Sequence, residues 1–352
     1  MSTRYLFLCP DINSASGGVA VIYDMVSLLN RAGYEAAVLH NSPSAGYPDY
    51  PHAVPAYYTR RLWRTHWRYA GLRGKLAMAR KRFTARKARL RPLSIRPTDV
   101  IIVPEYLLAE AIEAFYSWPL VVFVQNPFAL MRAYKKTLQR GNDPSESISF
   151  WLGISDVCRS HMTMLNCTPS AYFPVSMKPH EFPFKYEKQP LITYMPRKRL
   201  MEAEIIVEAL ERRGKVSGYR IEALDNISRA EVAAKLAHSL VFVSLLQHES
   251  LGFPAAEAMA SGCVVVGFDG LGGAEFFDNT TGVPVTEGDV AGVVEAVEQV
   301  VREYEKDPVN LDALRKHASQ VVNKRYSTDA FEAGAIAAWA KVDKYFAASI
   351  TG

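Results

Sequence analysis

Short apolar runs alternate with helix-patterned stretches along almost the whole chain, and that alternation restricts the fold more than any other feature. In the first half the runs fall at residues 5–9, 36–40, 100–103, 121–125 and 151–154. In the second half they fall at 192–195, 220–223, 240–246 and 264–268, with helical patterns at 203–213 and 229–238. Strands that alternate with helices build parallel sheets covered on both faces. At 352 residues the chain exceeds a single typical core and favours two such domains. A proline-rich run at 173–184 separates the halves. The expected division is 1–182, 183–327 and a final helical stretch 328–352, where Phe331, Trp339 and Phe346 recur at helical spacing.

Composition excludes several classes. With 49% hydrophobic and 22% charged residues the chain reads as an ordinary soluble globular protein. The apolar run at 5–9 is too short for a signal peptide and stops at Pro10, and no stretch is long enough to span a bilayer. Cys9, Cys158, Cys167 and Cys263 are scattered without ligand-like spacing, which predicts reduced thiols, a cytoplasmic location and no structural metal. The net charge of +5 is uneven. Residues 60–96 hold 14 Lys or Arg and no acid, and the rest of the chain holds 27 basic against 36 acidic residues.

The most specific local pattern lies at 248–263, His-Glu-Ser-Leu-Gly-Phe-Pro-Ala-Ala-Glu-Ala-Met-Ala-Ser-Gly-Cys. It sits between two apolar runs and reads as strand, loop, helix, strand. Glu249 falls in the loop and Glu257 in the first helical turn, around a turn at Gly252, Phe253 and Pro254. Proline suits the start of a helix, and the free N–H groups there can hold a phosphate. A carboxylate so close to such an anion is better suited to sugar hydroxyls than to the phosphate itself.

The spacing of Glu249 and Glu257 resembles the E-x7-E signature of retaining glycosyltransferases with the GT-B fold, in glycosyltransferase family 4. That resemblance implies two Rossmann-like domains facing across a cleft, and a nucleoside-diphosphate sugar as donor. Glu249 would lie beside the reacting sugar and Glu257 would bind the ribose. Backbone amides of Ser250, Leu251, Gly252 and Phe253 would meet the diphosphate or the sugar. It also implies a donor contact at the glycine-rich loop after the first strand, here Gly17 and Gly18. A glycine pair at that place is equally compatible with a tight turn that serves packing alone.

Three further segments follow strands, where doubly wound sheets bind ligands. Pro196 is followed by Arg197, Lys198 and Arg199, cations suited to a departing diphosphate. In the family an Arg and a Lys about five residues later take that role. Glu202 occupies the later position here, so Arg197 is the main candidate, with Lys198 or Arg199 in place of the missing lysine. Gln125 and Asn126 stand near the place where many relatives carry a histidine. They can bind hydroxyls but cannot act as a general base. A same-face substitution tolerates that, because the departing phosphate takes the acceptor proton. The third segment, 267–275, carries four glycines and reads as tight turns, with Glu275 structural. No histidine pair or Asp-x-Asp motif points to a metal, so neither cofactor nor metal is expected.

The basic stretch 60–96 interleaves its charges with Trp63, Trp67, Tyr69, Leu72, Leu76, Phe83 and Leu90, and Gly71 and Gly74 interrupt it. It suits an anionic membrane surface, where each cation contributes about 1 kcal/mol. An acidic polysaccharide acceptor, or a solvated helical excursion, fits the same residues. No nucleic-acid recognition motif accompanies the charge. The expected function is transfer of a sugar, with retention, from a nucleoside-diphosphate sugar to a glycan or lipid-linked acceptor. Such an enzyme belongs in cell-surface polysaccharide synthesis, in the cytoplasm or on the inner face of the membrane. A nucleotide-sugar epimerase or hydrolase on the same fold, and a non-catalytic adaptor for anionic lipid or polymer, are the rivals.

Overall fold

The computed structural model describes residues 3–11, 17–47, 50–62, 65 and 89–351. The chain divides into two compact units, one of Met1–Ile154, Cys158–Phe173 and Glu332–Gly352, the other of Ser155–Val157 and Pro174–Phe331. The division at Phe173 and Pro174 falls ahead of the boundary expected at 182/183.

The first unit is built on β1 (Arg4–Leu8), α1 (Gly17–Arg31), β2 (Glu35–His40), β3 (Ala56–Tyr58), β4 (Arg91–Pro92) and β5 (Val100–Pro104). It continues through α2 (Leu108–Ala114), β6 (Leu120–Val124), α3 (Pro127–Gln139), α4 (Pro144–Ser147), β7 (Phe150–Gly153), α5 (Asp156–Met164) and β8 (Ser170–Tyr172). Its eight described strands form one sheet in the order β4-β3-β2-β1-β5-β6-β7-β8, every pair parallel. The central strands β1, β5 and β6 are buried at every position, which is why they read as unbroken apolar runs. Helix α1 buries Val19, Ile22, Met25, Val26 and Leu29, the one-face spacing of an amphipathic helix. The last helix, α11 (Thr328–Thr351), contributes Trp339, whose ring meets Phe7 in a stack at 5.5 Å and Tyr5 edge-on at 4.9 Å. Tyr5 donates to Asp343 Oδ1 at 2.6 Å, so the same helix supplies the polar partner for a buried phenol.

The second unit follows with β9 (Gln189–Tyr194), α6 (Leu200–Arg213), β10 (Arg220–Ala223), α7 (Arg229–His238) and β11 (Ser239–Leu245). After these come α8 (Phe253–Ala260), β12 (Val264–Phe268), β13 (Val283–Pro284), α9 (Val290–Lys306) and α10 (Val309–Arg325). The sheet order is β10-β9-β11-β12-β13, again all parallel. Ile192, Val241, Val243, Val264 and Val266 from the strands pack with Ala203, Ile206 and Leu210 of α6 and with Val293 and Val297 of α9. Burying each of the larger of these side chains contributes about 1.5–3 kcal/mol. Local signals set the helix ends. Gly214 takes the left-handed C-cap of α6, and Ser228 forms a capping box with Glu231 at the start of α7.

Cys9, Cys158, Cys167 and Cys263 are free and buried. No helix among the described residues is long and apolar enough to cross a membrane. Most of the basic stretch 60–96, with Trp63, Trp67, Tyr69, Gly71, Leu72, Gly74, Leu76 and Phe83, lies outside the described residues. Near its start, the Arg61 guanidinium lies 4.3 Å over the Trp118 ring.

Candidate active site

In the second unit the loop after β11 carries Glu249, and α8 carries Glu257. Gly252 caps the helix at φ 77°, and a methyl group there would lie 2.6 Å from Leu246 Cδ1, so only glycine closes this turn without displacing a core leucine. The helix then opens on Phe253 and Pro254, and buries Ala255, Ala256, Ala258 and Ala260. Small side chains on that face let it lie close to its neighbours. Because α8 begins at Phe253, Glu257 is its fifth residue, in the second turn rather than the first, and it is buried. Ala255 N–H and Ala256 N–H are both directed at Gly252 O, at 3.1 and 3.4 Å, and Pro254 has no N–H, so at this helix start it is chiefly the helix dipole that favours an anion.

The glycine-rich segment after β12 supports that loop from beneath. Glu249 N–H donates to Gly270 O at 3.0 Å. A methyl group on Gly272 would lie 2.5 Å from Leu251 N, so the two backbones touch with no room for a side chain. Leu271 between them holds φ 70° and ψ −48° with its side chain half-exposed. Glu275, three residues beyond Gly272, is engaged by other partners. It accepts from Arg325 Nη2 at 2.9 Å and Tyr326 Oη at 3.0 Å, and from the N–H of Asp156.

The cationic turn after β9 separates into different roles. Arg197 is exposed. Lys198 Nζ lies 2.6 Å from Glu249 Oε1 and donates to Gln247 O at 2.9 Å, which ties the turn to the Glu249 loop. Arg199 is buried, and its guanidinium is taken by Leu246 O at 3.2 Å, Glu202 Oε1 at 2.6 Å, Glu287 and the ring of Phe268 at 4.7 Å. Arg199, expected among the donor-binding cations, is therefore a buried brace. Its N–H groups are spent on the loops that carry the site, and Arg197 and Lys198 are the cations left at the surface of this turn.

Glu257 has a partner that sequence reasoning missed. Arg229, the first residue of α7, places Nη1 2.6 Å from Glu257 Oε1, gives its Nε to Glu181, and donates from Nη2 to Met177 O at 2.9 Å. Its guanidinium also covers the Phe182 ring at 4.7 Å. Burial raises the Glu257 pKa and Arg229 opposes that rise. Ser250, next to Glu249, meets Ser155 through their hydroxyls at 2.9 Å. The signal for Arg229 was a cation one residue after a capping serine, which carries no functional weight on its own.

Gly17, Gly18, Gln125 and Asn126 belong to the first unit. Gly17 and Gly18 open α1 and are exposed, and a methyl group on Gly18 would lie 3.1 Å from Gln125 Oε1. Asn126 is the N-cap of α3, its side-chain oxygen accepting from Phe128 N at 3.0 Å and Ala129 N at 3.1 Å, with Pro127 following as the first helical residue. Beneath Gln125 lies Glu105, also missed from sequence. It is buried, accepts from Gln125 N–H at 3.0 Å, and desolvation pushes its pKa up to about 7. Among the described residues no group of three or more His, Cys, Asp or Glu is placed to hold a metal ion.

Comparison with known proteins bears on this geometry. Residues 199–303 match the family model described as Glycosyl transferases group 1. An alpha-1,6-glucosyltransferase of Actinobacillus pleuropneumoniae serotype 7 (strain AP76) is 30% identical over 146 residues, which are 40% of this chain and 42% of that relative. The match thus spans less than half of the relative's length. Among solved structures, S. aureus TarM in complex with UDP superposes with a TM-score of 0.65 at 10% identity, covering 97% of this chain and 100% of that one. Sucrose-phosphate synthase from Thermosynechococcus elongatus gives 0.61 at 15% identity, over 99% and 100% of the two chains. Anabaena HepE in complex with UDP and glucose gives 0.59 at 12% identity, over 99% of each. At such identities the likeness speaks for the fold, and it extends over nearly the whole chain. The protein is thus an α/β chain of the GT-B type with two Rossmann-like parallel sheets, whose segment 199–303, carrying Glu249 and Glu257, matches group 1 glycosyl transferases.

Proposed function

We propose that this protein is a retaining glycosyltransferase, similar to glycosyltransferase family 4, that uses a nucleoside-diphosphate sugar. The observation that carries the reading is the contact of Lys198 with Glu249 at 2.6 Å, beside the N-terminus of α8 and one helical turn or more ahead of the buried Glu257. A cation, the backbone amides at a helix start and two carboxylates of different exposure are what a sugar diphosphate asks for. The group 1 match over 199–303 and the UDP complexes of structural neighbours support the same reading.

In this scheme Glu257 accepts hydrogen bonds from the ribose, and the amides of Ser250, Leu251, Gly252 and Phe253 meet the diphosphate. Glu249 lies along the donor sugar and supports the positive charge that grows on it. The bond from the sugar's anomeric carbon to the diphosphate breaks, and Arg197 and Lys198 stabilise the leaving oxygens. The acceptor hydroxyl bonds to the same face of that carbon, and its proton passes to the departing phosphate. Gly17, Gly18, Gln125 and Asn126 supply neutral hydrogen-bonding contacts, and no protein base is required. The acceptor is a glycan or a lipid-linked glycan of cell-surface polysaccharide synthesis. The enzyme works in the cytoplasm or on the inner face of the membrane, where the basic stretch 60–96 meets anionic lipid.

The test is a thermal-shift panel of UDP, dTDP, GDP, ADP and CDP. A ligand at 100 times its Kd stabilises by about 2.7 kcal/mol. One responder is expected, and Glu257→Ala should abolish its shift. If none responds at millimolar concentration, the donor site is wrongly assigned. Consumption of donor without any acceptor would favour the epimerase or hydrolase reading instead. Transfer should survive chelation by EDTA, since Arg197 and Lys198 take the charge-neutralising role, and activity that vanishes until a divalent ion is restored would overturn that assignment.

A further inference from the structure

We propose that Arg229 is a positioning residue for the donor, holding Glu257 charged and oriented so that its second carboxylate oxygen faces the ribose. The inference rests on the ribose-anchor reading of Glu257 and adds to it the group that makes a buried acid serviceable there. Glu257 lies inside α8 and is buried, and a carboxylate so placed is poorly solvated. Arg229 approaches from α7 and takes only Oε1, at 2.6 Å. Its own orientation is fixed from three other sides, by Glu181, by Met177 O at 2.9 Å and by the Phe182 ring at 4.7 Å. A guanidinium held in this way is a fixed fork, and its planar geometry is what a lysine lacks.

Among the described residues, two charged groups face Glu257. Arg229 on α7 lowers its proton affinity, and Glu181, in the short turn of 3-10 helix at Pro179–Glu181, raises it. Desolvation raises it further. Removing the guanidinium therefore moves Glu257 toward its neutral form at a higher pH. A neutral carboxyl carries one proton of its own and is a weaker acceptor for a ribose hydroxyl. Donor affinity in the variant then falls at a higher pH than it does in wild type. A residue that served only to pack α7 would weaken the protein without moving that dependence.

The experiment is calorimetric titration of the best-binding nucleoside diphosphate among UDP, dTDP, GDP, ADP and CDP, from pH 5 to 8.5. It compares wild type, Arg229→Gln, Arg229→Lys and Glu257→Gln. In Arg229→Gln the pH at which affinity halves should rise by about one unit or more relative to wild type. In Arg229→Lys, which keeps the charge and loses the fork, binding should weaken at every pH while the halving pH stays near the wild-type value. A parallel, pH-independent loss in Arg229→Gln, or no loss at all, overturns the proposal. Should Arg229→Gln not fold, Arg229→Lys decides alone, and wild-type affinity in that variant overturns it. Glu257→Gln that binds as tightly as wild type would instead show that the ribose-anchor reading has failed.

Discussion

The two units carry the same kind of sheet and furnish its strand-end loops in opposite ways. In the second unit those loops hold charge in the open or in pairs, with Lys198 against Glu249 and Arg229 against Glu257. In the first unit the corresponding loops present the neutral groups Gly18, Gln125 and Asn126, together with Asp11, whose carboxylate accepts from Asn41 N–H and Ser42 N–H, and one buried acid, Glu105, whose oxygen is occupied by a backbone N–H. The contrast follows from the chemistry proposed for each side. A diphosphate that accumulates charge as it leaves calls for cations, and a sugar hydroxyl calls for neutral donors and acceptors that do not compete for its proton. In the second unit the ion pairs also join segments, since Lys198 ties the turn after β9 to the loop after β11. In the first unit the strand-end loops are joined by side chains bonded to backbone, as where Asp11 Oδ1 accepts from Asn41 N–H at 2.9 Å, and ion pairs such as Arg4 with Asp99 sit at the starts of β1 and β5 instead.

The largest expected effect tests whether charge in the second unit does the chemistry. Glu249→Gln keeps the shape of the side chain and removes its charge, and turnover should fall by about 10²–10³-fold with little change in donor affinity. Gln125→Ala in the first unit should cost only a few-fold, the scale of a single neutral hydrogen bond. Steady-state kinetics with saturating donor separates the two, and a Gln125→Ala variant as impaired as Glu249→Gln would break the comparison.

The next effect concerns the one buried acid of the first unit's strand-end loops. With its pKa raised to about 7 from an ordinary carboxylate value of 4.5, folded Glu105 holds its proton more tightly than unfolded Glu105. The folded state therefore binds more protons between those values, so this residue's contribution is full below about pH 4.5 and is lost as pH rises through about 7. The linkage amounts to on the order of 3 kcal/mol for a shift of this size. Glu105→Gln stays neutral and can still accept from Gln125 N–H, so it should flatten the decline and be the more stable form at pH 8. Denaturant unfolding at pH 5 and pH 8 reads this directly. A variant whose stability falls as steeply as wild type over that range would mean that Glu105 is not the group responsible.

Much of this contrast is legible in the amino-acid order alone, and the part that is not has a common cause. The buried central strands and the long helices are visible because their patterns extend over five residues or more. The strands β3, β4 and β8, of two or three residues each, are too short to show a pattern and exist only through pairing with a neighbour. Glu249 and Glu257 stand out because their spacing straddles a glycine-proline turn. Arg229 and Glu105 do not, since a single charge gains meaning only from what tertiary folding places beside it. Arg199 is the reverse case. Three adjacent cations look equivalent in sequence, yet the direction of the chain after β9 turns the third inward. The cap at Asn126 is readable from Asn-Pro ahead of a helical pattern, but an amide at a strand end suits a hydroxyl-binding role equally well and so hides it.

The smallest effect compares two residues that hold a left-handed φ without being glycine, one in each unit. Leu271 in the second unit stands at φ 70°, in a region that costs a branched side chain on the order of 1–3 kcal/mol, and Asn166 in the first stands at φ 53°. Asparagine tolerates that region far better, because its short polar side chain bonds locally. Leu271 is also half-exposed, so burial returns little of the strain. Leu271→Gly should therefore stabilise the protein by about 1 kcal/mol after the entropy cost of glycine, and Asn166→Gly should change it by only a few tenths. If the loop over which Leu271 stands is shaped for a ligand, the same Leu271→Gly variant should gain stability while its donor affinity falls. Equal shifts in the two glycine variants would show that the second unit's loop stores no more strain than an ordinary helix end. A stabilised Leu271→Gly with unchanged donor affinity would confine the strain to the turn that lets Gly272 reach Leu251.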